Sequence, residues 1–122
     1  MEVFIKKLLQ NIVKHCNVIE DTKQHFGLHY DDFEDNMIYQ NAILTPIVQI
    51  GELVKKLPDD FRRQYTEIPW RNIAGMRDIV VHSYETIDKI ILWNVANTET
   101  IKIKNFCVNL LKGENDYDEC QN

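Results

Sequence analysis

The sequence predicts an all-α domain, an up-and-down bundle of about five helices. Apolar residues recur at steps of three and four along most of the chain, the period of a helix with one buried face. No stretch shows strand-like alternation and no internal repeat is visible. With 122 residues, the chain is long enough for one domain with a single core and not comfortably for two.

Val3, Phe4, Leu8, Leu9, Ile12, Val13, Cys16 and Ile19 predict a first amphipathic helix over residues 2–22, ending before the turn His25-Phe26-Gly27-Leu28-His29. A second helix is expected from Asp32 or Phe33 to Leu57, with Ile43, Ile47, Ile50, Val54 and Leu57 on one stripe and Pro58-Asp59 ending it. Pro46 inside this helix removes one backbone hydrogen bond, which predicts a kink. A polar turn or helical loop follows from Asp59 to Thr66, and Pro69 opens a third helix running to about Ser83. A fourth is expected from Thr86 to about Ala96, and a fifth from Glu99 to Lys112, capped by Asn97 or Thr98 and ended by Gly113. The expected domain is therefore residues 1–112, with 113–122 as an acidic, mobile C-terminal tail.

The composition, 44% hydrophobic and 27% charged, is that of a globular protein and excludes a disordered or low-complexity chain. Fourteen Lys and Arg against nineteen Asp and Glu give a net charge of −5, which at face value speaks against nucleic acid as a partner, because neutralising phosphate takes Lys and Arg. Cys16, Cys107 and Cys120 are odd in number and lack any C-x-x-C pairing, so inert thiols in a reducing, cytoplasmic setting are expected. The residues from Met1 to Lys7 do not read as a signal peptide, and no apolar run approaches the roughly 18 residues that cross a bilayer.

Chemistry concentrates in the third helix. At 100° per residue, Trp70, Ile73, Ala74, Val80, Val81 and Tyr84 fall within about 60° of the direction of Arg77. A guanidinium thus points along an apolar stripe, where it either snorkels, meets a core carboxylate or serves a purpose that justifies burying an always-charged group. His82, five residues on, projects about 140° away with Arg71, Gly75 and Asp78. Near a helix C-terminus its protonated form is favoured, which suits a proton donor; alone, such a histidine can equally be a solvated surface residue.

The run Ile68-Pro69-Trp70-Arg71-Asn72-Ile73-Ala74-Gly75-Met76-Arg77-Asp78-Ile79-Val80-Val81-His82-Ser83-Tyr84 resembles the signature of the HepT-like branch of the HEPN superfamily. The upstream run from Ile47 to Leu57, with its Ile50-Gly51-Glu52, resembles the same family's second-helix segment. The resemblance covers nearly the whole chain up to the acidic tail. It implies a metal-independent ribonuclease toxin of a prokaryotic toxin–antitoxin pair, needing no cofactor and acting as a homodimer whose two R-x4-H motifs meet in a cleft. The catalytic pair would be Arg77 and His82, with Asp78 as the supporting polar residue. The implied partner is a minimal nucleotidyltransferase antitoxin, which in related systems adds AMP to the tyrosine of the motif, here Tyr84.

The residue types agree with that chemistry. RNA carries its own nucleophile, the 2′-hydroxyl, so cleavage needs proton transfers and charge stabilisation without a compulsory metal. A two-fold dimer supplies two motif histidines, one for each proton transfer. The planar fork of Arg77 suits paired hydrogen bonds to phosphate oxygens. On the second helix, Asn41, Thr45, Val48 and Glu52 share a face that is either solvent-exposed or lines the cleft, with Glu52 neutralising Arg77. His25, His29, Asp31 and Asp32 look like metal ligands, but Gly27 between the histidines argues against a regular helical site. All four arginines, Arg62, Arg63, Arg71 and Arg77, fall in sixteen residues, and outside the tail the balance is 14 bases to 15 acids. A local RNA-binding site built on Arg62, Arg63 and Arg71 can therefore exist inside an acidic protein. Two competing readings remain: a module that binds RNA or nucleotide without cleaving it, and a purely structural bundle.

Overall fold

The computed structural model describes residues 1–75 and 88–121, with side chains as far as residue 113. Every regular element among the described residues is helical. Helix α1 spans Val3–Phe26, α2 Tyr30–Glu34, α3 Met37–Lys56 and α4 Asp59–Gln64, and residues 70–75 form α5. Helix α6, Lys89–Asn94, continues through a π-helical turn, Val95–Glu99, into α7, Thr100–Gln121. None of the described helices is long and apolar enough to cross a membrane.

Helix α1 packs along both α3 and α7, and the core between them is the aliphatic stripe read from the sequence. Leu9, Ile12, Ile19, Ile43, Ile47, Ile50, Val54 and Ile103 are all buried. Cys16 and Cys107 lie in the same core, and burial pushes each thiol up to about 12, which keeps them protonated and unreactive at neutral pH.

Several boundaries differ from the expectation, some of them because a side chain satisfies backbone groups that periodicity does not reveal. Helix α1 runs on to Phe26, where the ring stacks on Tyr39 with centroids 5.0 Å apart. It stops at Gly27, whose φ of 129° is accessible to glycine and strained for other residues. The expected second helix is split, because the Asn36 side chain accepts the Tyr39 N–H at 3.0 Å and starts α3 afresh. The Gln40 amide donates to the Phe33 and Glu34 carbonyls at 3.0 and 2.9 Å, sealing the end of α2. Helix α3 then continues through Pro46.

At the other junction no break separates the fourth and fifth helices. Asn97 does not cap a new helix; its amide donates back to the Trp93 carbonyl at 2.8 Å. The widened turn is held from α1, where Lys23 donates to the Ala96 carbonyl and to Asn97 Oδ1 at 3.4 and 3.3 Å. The hydroxyl of Thr100 donates to that same carbonyl at 2.9 Å. Helix α6 begins at Lys89 rather than Thr86, because Asp88 caps the Ile90 and Ile91 N–H groups at 3.1 and 3.2 Å. Nor does Gly113 end α7, which passes through it to Gln121.

Candidate nucleic-acid interface

The segment leading into the third-helix motif is built on an aromatic base. Helix α4 has Asp59 and Asp60 in its first turn and Arg62 and Arg63 in its last, the arrangement its dipole favours. Its apolar residue, Phe61, is buried, with ring centroids 5.1 Å from Tyr65 and 6.2 Å from Trp70. Phe106 of α7 closes the cluster against Tyr65 and Trp70 at 5.1 and 5.5 Å. The Trp70 indole N–H donates to the Arg62 and Tyr65 carbonyls at 3.1 and 2.9 Å. One side chain at the start of α5 thus gives a second donor to two carbonyls at the end of α4, which also accept the Tyr65 and Ile68 backbone N–H groups, and fixes the two helices to each other.

Helix α5 follows the sequence pattern: Trp70, Ile73 and Ala74 are buried, while Arg71 and Asn72 are exposed. The described half of the apolar stripe is therefore a true core face. Above it, α4, α5 and the end of α3 enclose an open groove of about 840 Å³ lined by Lys55, Asp59, Arg62, Arg63, Arg71 and Asn72 among others. Four cations face one carboxylate there, in a chain whose net charge is −5. Asp59 is already engaged by Arg62, and Arg63 reaches Asp60 at 3.4 Å on a largely exposed surface. Arg62 Nε is buried and has no hydrogen-bond partner.

The structure places Arg62, Arg63 and Arg71 along one groove together with Lys55, which the sequence reading did not single out. The only signal for Lys55 was its place on the last turn of the second helix. Asn41 is exposed and Glu52 half-buried on α3; neither lines the groove. Asn41 sits eleven residues before Glu52, a separation of about 16 Å along a helix. Arg77, Asp78, His82 and Tyr84 lie outside the described residues. At the far end of the bundle, two of the residues considered as metal ligands, His25 and Asp32, have other contacts. His25 packs edge-on against Phe26 at 4.7 Å, and Asp32 accepts the His29 backbone N–H at 3.2 Å.

A basic groove just before the R-x4-H motif in the sequence is the feature on which comparison with known proteins bears. The family model for HepT-like ribonucleases matches residues 15–110. The chain belongs to the HepT-like ribonuclease family. Among its relatives is "Putative RNase MJ1216" of Methanocaldococcus jannaschii, 34% identical over 116 residues that make up 94% of this chain and 93% of that protein. "Putative RNase MJ1380" of the same organism is 34% identical over 101 residues, 82% of this chain and 90% of the relative. "Probable ribonuclease HepT" of Thermococcus cleftensis is 32% identical over 99 residues, 81% and 88% of the two chains. No solved structure matches the chain. Membership confirms the expected family and, with it, the all-helical architecture.

Proposed function

We propose that this HepT-like chain is a metal-independent endoribonuclease and the toxin of a prokaryotic toxin–antitoxin pair. The observation that carries the reading is the basic groove, whose wall ends at Gly75, two residues before Arg77 in the sequence that carries the family's motif. Phosphate attraction is thereby concentrated next to the residues suited to act on a phosphodiester.

In the proposed reaction the RNA 2′-oxygen attacks the adjacent phosphorus and the bond from phosphorus to the 5′-oxygen breaks. Products are a 2′,3′-cyclic phosphate and a 5′-hydroxyl. One His82 takes the 2′-hydroxyl proton and the partner subunit's His82 protonates the leaving oxygen, so a homodimer is required. Arg77 donates paired hydrogen bonds to the phosphate oxygens as negative charge builds. Asp78 and Glu52 orient or balance the arginine, Asn41 lies further along the same α3 face, and Arg63 and Arg71, in the groove that Arg62 braces, draw the substrate in. A minimal nucleotidyltransferase antitoxin silences the site by adding AMP to Tyr84, which places bulk and negative charge beside the catalytic pair.

The test is cleavage of RNA by the purified protein in the presence of a chelator, with His82→Ala and Arg77→Ala alongside. Each substitution is expected to slow cleavage by about a hundredfold or more, and growth arrest on expression disappears with it. Equal rates for wild type and His82→Ala refute the mechanism. RNA that is bound and left intact by the wild type makes the chain a binding module instead.

A further inference from the structure

We propose that the groove between α4 and α5 is a subsite for the backbone of single-stranded RNA flanking the cleaved bond. Lys55, Arg63 and Arg71 hold its phosphates, and Arg62 braces the wall rather than touching RNA. The proposal rests on the ribonuclease reading and assigns the groove a separate, sequence-independent task.

The four cations are not equivalent. Arg62 is only 27% exposed and is held by Asp59, while its backbone carbonyl accepts the Trp70 indole N–H; it is part of the scaffold. Lys55 and Arg71 are exposed and make no ion pair among the described residues. Arg63, 75% exposed, has one long contact to an almost fully exposed aspartate, a pair that contributes little in water. Three cations are thus held close together by a rigid frame with their charge available, a state that like-charge repulsion disfavours and an anionic ligand relieves.

The groove also indicates how the ligand is read. The rings beneath it are packed against one another, and Trp70 is only 7% exposed, so among the described residues lining the groove no aromatic face is offered for stacking of bases. What remains exposed is charge, suited to phosphates that every sequence shares. The wall is low at Gly75, where a Cβ would meet nothing within 4 Å. Glycine there answers no packing need of the described residues, and its bare backbone admits the close approach of a strand.

The experiment uses the full chain and a fluorescent 2′-O-methyl oligonucleotide, which lacks the nucleophile and cannot be cut. Affinity is read by anisotropy over a salt series. Three phosphate contacts on a single strand are expected to contribute about −2 to the slope of log affinity against log salt, in addition to what Arg77 contributes. Replacing Lys55→Gln together with Arg71→Gln should weaken binding about tenfold or more at low salt and make the slope shallower by about 1.4. Lys55→Arg should retain both values. Both residues are exposed, and circular dichroism checks the fold; Arg71→Gln alone gives half the change in slope if the double variant misfolds. Unchanged affinity and slope in a folded variant overturn the subsite, as does a polyglutamate peptide that binds as tightly as the oligonucleotide and loses as much. Binding and cleavage are separate readouts: a wild type that binds without cutting overturns the ribonuclease reading alone.

Discussion

The two ends of the bundle solve opposite problems with similar materials. Both are founded on interlocked aromatic rings, Phe61, Tyr65, Trp70 and Phe106 at the groove end and Phe26, Phe33, Tyr39 and Trp93 at the other. They are separated by the length of α3, whose 20 residues span about 30 Å. At the far end polar groups are consumed within the chain. The Tyr39 hydroxyl donates to the Gly27 carbonyl at 2.7 Å, Gln40 seals α2, and Lys23 clamps the π-helical turn. At the groove end Lys55 and Arg71 are left without ion pairs among the described residues. Aromatic packing underlies both places; what distinguishes the closed end from the groove end is whether the polar groups above the rings are satisfied internally.

That contrast can be broken first at Gly27. A Cβ there would lie 2.2 Å from Asp32 Oδ2, on a backbone with φ of +129°. Gly27→Ala is expected to cost about 1–3 kcal/mol, measured by denaturant unfolding, while leaving the salt dependence of oligonucleotide binding unchanged. A smaller effect concerns the thiols of the core that joins the two ends. The folded state holds the Cys16 and Cys107 protons up to about 12 against an ordinary 9.0. Their contribution is therefore complete below about pH 9 and lost as pH rises towards 12. Lys23 acts in the opposite direction, since burial lowers its pKa and the folded state gains as pH rises through that lowered value. Two thiols against one lysine should give a net fall in the unfolding midpoint between pH 9 and 10.5, flattened by Cys16→Ala with Cys107→Ala. Native protein should resist thiol alkylation at both positions at pH 8. The smallest effect is expected at Gly113, in helical backbone with open space around a built Cβ. Gly113→Ala should stabilise by about 0.5–1 kcal/mol, the reverse sign of Gly27→Ala.

Much of the fold was legible because burial along a helix repeats at a fixed period. Leu9, Ile12, Ile19, Ile43, Ile47 and Ile50 were placed in the core by spacing alone and are buried. Several of the misplaced boundaries fall where a polar side chain acts across elements or on a neighbouring turn. Asn36 restarts a helix, and Lys23 reaches 73 residues along the chain to Ala96. The same limit applied to the groove. Three of its arginines stood out by clustering in sequence, whereas Lys55 belongs to it only because α3 ends beside α4 and α5.

The sequence by itself determined the helical class and the core stripes, since these follow from periodicity, and its motif string carried the resemblance to the family. Only the tertiary structure decided that Trp70 bolts α4 to α5 and that Arg62 is braced while Arg71 is exposed. It also decided that a cation from α3 completes the groove. The physical reason is that charge availability depends on partners in space. A carboxylate three residues away engages Arg62, an indole fixes the backbone beneath it, and neither relation is written in the spacing of the residues that remain exposed.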